Sequence, residues 1–227
     1  MDDKIPQRML LLDACGVLVG EPMGPLFSAV AASCGSRVDQ VQLLFRDHLR
    51  DDLWSGRIST RDFWDRFAAA VGHDCAPRQW HTTIVDSMAP LPAGDSVSGW
   101  AQRARLTLVS NHRHEWLLPV LHKLGIERHF HAVEISSVTG LIKPDSAAFL
   151  HALDGRCPRS ALYVDDKAAN VRAARDVGIS SLQADPAGDW IDEVERWLGS
   201  ASDSAHLRSD VRRADPSDHR ESLQRSR

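Results

Sequence analysis

Met9-Leu10-Leu11-Leu12-Asp13-Ala14-Cys15-Gly16 is a short apolar run that ends on a carboxylate and then on a glycine, with Gly20 close behind. A run of this kind reads as a strand buried on both faces that stops in a tight loop. The pattern returns at Leu106-Thr107-Leu108-Val109, which ends at Ser110-Asn111, and at Ala161-Leu162-Tyr163-Val164, which ends at Asp165-Asp166. Val133 to Ile135 and Ser180 to Ala184 are weaker strand candidates. Helical patterns lie between the strands: Glu115 to Leu124, Asp145 to Leu153 started by Pro144, Ala168 to Val177 stopped by Gly178, and Asp189 to Leu198 stopped by Gly199. Alternation of this sort predicts an α/β fold, a doubly wound parallel sheet that takes ligands beyond the carboxyl ends of its strands. Asp13, Ser110 and Asp165 all fall at such ends.

The stretch 21–91 breaks the alternation. Val41, Leu44, Phe45, His48 and Leu49 recur at helical spacing, as do Phe63, Trp64, Phe67 and Val71, and no strand run intervenes. This predicts a helical cap inserted into a core made of 1–20 and 92–200, with Ser59 and Asp62 forming a capping-box-like helix start and Pro90 and Pro92 marking the return. Residues 201–227 carry 11 charged side chains and few apolar ones, and read as a disordered tail.

Composition excludes whole classes. With 227 residues, 43% hydrophobic and 26% charged, the chain can bury a sizeable core, and no apolar run approaches the roughly 20 residues of a membrane span. Lys plus Arg 27 against Asp plus Glu 31 gives a net charge of −4, no footprint for a phosphate backbone, so nucleic acid is not an expected partner. Met1-Asp2-Asp3-Lys4 lacks the pattern of a secretory signal, and a cytoplasmic monomer or homodimer is expected. Cys15, Cys34, Cys75 and Cys157 form no C-x-x-C pair and read as reduced thiols. The residues six after each of them are Glu21, Gln40, His81 and Tyr163, so the Cys-x₅-Arg loop of cysteine phosphatases is absent.

Four points carry potential chemistry: Asp13, Ser110-Asn111, Lys143 and Asp165-Asp166. Each has a bland alternative, as a turn residue, a surface loop or a helix cap. Together, Leu11 to Leu18, Leu108 to Asn111, Gly140-Leu141-Ile142-Lys143-Pro144-Asp145 and Tyr163 to Val171 followed by Gly178 resemble the haloacid-dehalogenase-like superfamily over about residues 8 to 198. Within it, Leu53 to Ser59 with Phe63-Trp64 looks like the branch of small sugar-phosphate phosphatases related to the phosphatase domain of soluble epoxide hydrolase.

The resemblance implies a Mg²⁺-dependent phosphatase acting on a small phosphomonoester, a sugar or cyclitol phosphate, through an aspartyl-phosphate. Asp13 is then the nucleophile, and Lys143 is catalytic and phosphate-binding together with Ser110 and Asn111. Mg²⁺ falls to Asp13, the backbone carbonyl of Cys15, Asp165 and Asp166. One position departs from the pattern: the usual second aspartate, which serves as general acid and base, is Cys15. A thiol with a pKa of about 8.5 is a weaker proton donor, which points to a substrate with a good leaving group. His112 or His114 is another candidate donor, and Arg57, beside Gly56, is the expected specificity contact. Trp54, Phe63, Trp64 and Trp80 could line a sugar-sized pocket or fill the core of the cap. The competing readings are a 2-haloacid dehalogenase, which keeps no paired metal acids, and a non-catalytic relative that binds a phosphorylated metabolite.

Overall fold

A computed structural model of the chain describes residues 8–74 and 76–211. Five parallel strands form one sheet: β1 (Met9–Leu12), β2 (Arg105–Ser110), β3 (Ala132–Ile135), β4 (Ala161–Asp165) and β5 (Ser180–Gln183), in the order β3-β2-β1-β4-β5. Each expected strand is present, the two weaker ones included. Alternation along β1 feeds both faces of the sheet. Leu10 and Leu12 join one hydrophobic cluster, Met9 and Leu11 the other, and all four are buried. Burial on both faces is why the strand reads as an unbroken apolar run.

The helices are α1 (Met23–Cys34), α2 (Val38–His48), α3 (Arg50–Trp54), α4 (Thr60–Ala70), α5 (Arg78–Ser87), α6 (Val97–Ala101), α7 (His114–Lys123), α8 (Ser136–Thr139), α9 (Ser146–Ala152), α10 (Ala168–Asp176) and α11 (Asp189–Val211). The first five are inserted between β1 and β2. The two chain legs that join them to the sheet pair with each other, Gly20 N–H donating to Ala89 O and Leu91 N–H to Leu18 O. Ser59 caps α4 as its spacing predicts: its Oγ accepts from Asp62 N–H and donates to the Asp62 carboxylate. Phe45 lies at the centre of the insert, its ring against Phe27, Trp54, Phe63 and Phe67.

Gly199 does not stop the last helix. A glycine inside a helix costs about 1 kcal/mol, and the next proline is Pro216, so α11 runs on to Val211, into the stretch expected to be a tail. The rest of that stretch, 212–227, lies outside the described residues, as does Cys75. No helix among the described residues is long and apolar enough to cross a membrane.

The chain runs outward from β1 through β2 to β3 and returns to β4 on the other side of β1. The direction therefore reverses between β1 and β4, and it is at the carboxyl ends beside such a switch point that sheets of this kind take ligands. Leu12 lies level with Val164, so the next residues, Asp13 and Asp165, leave the sheet side by side.

Candidate active site

Three carboxylates meet at that switch point: oxygen atoms of Asp13, Asp165 and Asp166 lie within 4.8 Å of one another, a cluster that can hold a metal ion. Lys143, reaching in from the loop before α9, is 1% exposed, and its ammonium has three donors with three partners: Asp13 Oδ1 at 3.1 Å, Asp165 Oδ2 at 2.7 Å and Val109 O at 2.6 Å. The backbone of Lys143 is pinned as well. Its N–H donates to Asn111 Oδ1 at 2.9 Å, and Asn111 Nδ2 donates to its carbonyl at 2.7 Å. Both ends of the Asn111 amide are thus engaged in positioning Lys143, whereas the sequence predicts a phosphate contact there.

The two neighbouring aspartates differ. Asp165 Oδ2 accepts from Lys143, from Asn170 Nδ2 at 2.9 Å and from the Tyr163 hydroxyl, and its Oδ1 accepts from Lys167 N–H at 2.8 Å. A carboxylate has about four lone-pair sites, and this one has four donors. Burial alone would raise its pKa, but the Lys143 charge and these hydrogen bonds outweigh burial and hold it at about 2. Asp166 has a buried oxygen, Oδ1, without a partner, and burial together with the charge of Asp13 pushes its pKa up to about 6. Burial also raises Asp13, with Asp165 adding to it against the pull of Lys143. Repulsion of this kind is what a cation would reverse. The sequence treats Asp165 and Asp166 alike as metal ligands; the structure spends Asp165 on Lys143 and leaves Asp166 open.

The loop after β1 fits a metal on two further counts. The bridge between Cys15 and Val19 is closed by Val19 N–H to Ala14 O and Gly16 N–H to Val19 O, so neither bond uses the Cys15 carbonyl. At Gly16, where φ is +79°, a Cβ would sit 2.6 Å from Asp166 Cγ, so only glycine lets that carboxylate approach. The Cys15 thiol is buried, and burial beside Asp13 pushes its pKa well up, so it stays protonated. Asp13 Oδ1 accepts from Ala14 N–H at 2.7 Å as well as from Lys143, which leaves Oδ2 clear of both.

Ser110 ends β2, buried and one strand from Asp13. Arg57 is turned to its own segment: its Nε donates to Asp52 Oδ1 at 2.8 Å, and its side chain is 60% exposed. Trp80 is buried inside the insert, with its indole N–H on Ser33 Oγ at 3.2 Å. Three residues are given no role by the sequence, although Tyr163 and Lys167 fall within one of its motifs. Tyr163, the one tyrosine in the chain, shares a strand face with Asp165 by two-residue spacing. Lys167, directly after the paired acids, opposes Asp13 and Asp166, and their charges raise its pKa against burial. Arg113 ties insert to core, its Nη1 donating to Ile58 O at 3.0 Å and Leu53 O at 3.4 Å. A groove at the amino ends of β1 to β3, lined by Met9, Arg105, Thr107 and Ala132, holds none of these groups.

Residues 100–184 match the family model described as haloacid dehalogenase-like hydrolase. No curated protein matches the chain. Among solved structures, a predicted HAD-like family hydrolase from Porphyromonas gingivalis is 24% identical, with a TM-score of 0.69 over 84% of this chain and 97% of that one. A HAD family enzyme from Bacteroides thetaiotaomicron, in complex with magnesium and inorganic phosphate, is 19% identical, with a TM-score of 0.67 over 81% of this chain and 96% of that one. L-2-haloacid dehalogenase from Xanthobacter autotrophicus is 16% identical, with a TM-score of 0.57 over 78% of this chain and 76% of that one. At these identities the likeness is one of fold.

Proposed function

Starting from a chain that has the fold of the haloacid-dehalogenase-like hydrolases, we propose that this protein is a Mg²⁺-dependent phosphatase that hydrolyses a small phosphomonoester, a sugar or cyclitol phosphate. The observation that carries this reading is the division of labour between the paired acids. One is saturated by the protein; the other keeps a buried, unpartnered oxygen next to Asp13.

In this reading Asp13, Asp166 and the Cys15 carbonyl would hold Mg²⁺, which would supply positive charge at the phosphoryl oxygens. Asp13 Oδ2 attacks phosphorus, forming the O–P bond of an aspartyl-phosphate as the ester P–O bond breaks. Lys143 keeps Asp13 oriented and ionised, and Ser110 donates to a phosphoryl oxygen. Water then cleaves the acyl phosphate to release inorganic phosphate. Protonation of the leaving oxygen is the weak step, because Cys15 stands where an acid is needed and its thiol is held protonated. A substrate with a good leaving group, such as an anomeric sugar phosphate, suits that defect.

The test is phosphate release from sugar, cyclitol and nucleotide monophosphates with Mg²⁺ or EDTA, by wild type and Asp13→Asn. Release that needs Mg²⁺ and falls on the order of 10³-fold or more in the variant is expected. Cys15→Asp should raise the rate on ordinary alkyl phosphates, and an unchanged rate would count against the leaving-group argument. Halide release from 2-haloacids without Mg²⁺, and no phosphate release, would replace this reading with a dehalogenase.

A further inference from the structure

With Cys15 in the place of an acid, some other group must meet the charge that develops on the leaving oxygen. The structure narrows the field. The Cys15 thiol is 6% exposed and stays protonated, and a thiol is a weak hydrogen-bond donor. Lys143 has its three donors on Asp13, Asp165 and Val109. His112 is 2% exposed in the seam between insert and core, where it stacks on Trp54 at 5.4 Å and its Nδ1 lies 3.1 Å from Arg113 O. Its Nε2, like the Trp116 indole N–H, is enclosed there without a partner. Burial holds the ring neutral, with its pKa lowered to about 4, so it is no acid at neutral pH. His114 is exposed at the start of α7, with its backbone N–H on Ser137 Oγ at 3.0 Å, and its charge bears on its neighbour Glu115.

Lys167 is placed differently. Its backbone N–H donates to Asp165 Oδ1 at 2.8 Å, which fixes the residue at the N-cap of α10, directly after Asp166. Asp166 in turn abuts the loop after β1: a Cβ on Gly16 would lie 2.6 Å from its Cγ, so the segment that carries Lys167 packs on the turn that carries Cys15. The Lys167 side chain reaches solvent, and among the described residues its ammonium has no hydrogen bond and no ion pair. The charges bearing on it are those of Asp13, Asp166, Glu21 and Asp165, and its own charge reaches Cys15 and His112. Those groups belong to the loop after β1, the end of β4, the first leg of the insert and the end of β2, so the ammonium stands among them with three donors free. A cation there does part of an acid's work, because it stabilises an oxygen that is gaining negative charge.

We propose that Lys167 is a catalytic residue that donates a hydrogen bond to the leaving oxygen of the phosphomonoester, on the side where Cys15 supplies no acid. This deepens the phosphatase reading and rests on it. As the ester P–O bond breaks, its electron pair moves onto the leaving oxygen, and the ammonium meets that charge without giving up a proton. The departing alcohol takes its proton from water. Help of this kind counts most when the leaving group is poor.

The experiment uses the full chain with Mg²⁺ and measures kcat/KM for p-nitrophenyl, phenyl and alkyl phosphates, a series of rising leaving-group pKa. Wild type is compared with Lys167→Met, with Lys167→Arg, and with Lys167→Met in a Cys15→Asp background. A second readout is the binding of trifluoroberyllate by calorimetry, since this mimic of a phosphoryl group on Asp13 carries no leaving oxygen. Lys167→Met should lose on the order of 10²-fold on alkyl phosphates and about threefold or less on p-nitrophenyl phosphate, while Lys167→Arg keeps most of the activity and all variants bind trifluoroberyllate equally. In the Cys15→Asp background the alkyl penalty should shrink, because a carboxylic acid then serves that oxygen. A loss that is the same for every leaving group, or an alkyl penalty undiminished by Cys15→Asp, overturns the inference; weaker trifluoroberyllate binding alongside a uniform loss would assign the cation to the phosphoryl group instead. No loss on any substrate overturns it too, Lys167 being then a solvated surface charge. Each of these outcomes leaves the phosphatase standing, whereas no release by wild type from any substrate overturns both.

Discussion

The strand-end cluster and the inserted helices are built on opposite plans. In the cluster, Lys143 and Asp165 are buried and saturated, at 1% and 0% exposed, and Lys143 fills all three of its donors, while Asp166 keeps an oxygen open. In the insert the interior is aromatic, and the charges pair at the surface, as in Arg37–Asp39, Arg46–Asp47 and Arg57–Asp52. Exposed pairs of this sort are screened by solvent and add little, whereas breaking a buried pair strands a charge at a cost of about 3–5 kcal/mol. Chemistry is therefore concentrated where a single change is expensive, and the insert carries shape.

The contrast is broken most directly at Lys143. Lys143→Met leaves Asp13 and Asp165 without their cation, and should abolish turnover and lower unfolding free energy in urea by about 3–5 kcal/mol. A loss below about 1 kcal/mol would show that the cluster is not held by this residue.

His112 sharpens it at the seam. Its folded pKa of about 4 lies below the 6.5 of the unfolded chain, so between those values the unfolded state binds the extra proton. The contribution is complete above pH 6.5 and is lost as the pH falls towards 4, at most about 3 kcal/mol for a shift of this size. Urea unfolding of wild type and His112→Gln at pH 7 and pH 4.5 measures it; the variant should lose less on acidification.

A smaller effect is expected at Gly16. Gly16→Ala puts a Cβ against Asp166 at positive φ, which should destabilise by about 1–3 kcal/mol and weaken Mg²⁺ binding in calorimetric titration. Smallest is Trp80→Phe inside the insert, which removes the hydrogen bond to Ser33 and should lower stability by about 1 kcal/mol with the phosphate-release rate unchanged. A fall in rate there would mean that the insert's interior reaches the chemistry.

Much of this was legible in the residues. Apolar runs ending on Asp13, Ser110 and Asp165 mark strands buried on both faces, because continuous hydrophobicity is what such strands require. Asp165 and Asp166, by contrast, are indistinguishable as letters. Their roles separate only because Tyr163, Asn170 and Lys143, brought together from β4, α10 and a loop 22 residues away, converge on one of them. Arg57 looked free in a loop, yet it folds back on Asp52, a local pairing that composition does not reveal.

By itself, the sequence determined the order of strands and helices and the acids at the strand ends, because periodicity and chain direction are local properties. Only the tertiary structure decided which acid stays open, why Asn111 serves Lys143, and how His112 and Trp116 come to be left without partners. Each of those outcomes depends on how many donors and acceptors meet at one buried atom, and that count exists only after distant segments have packed together.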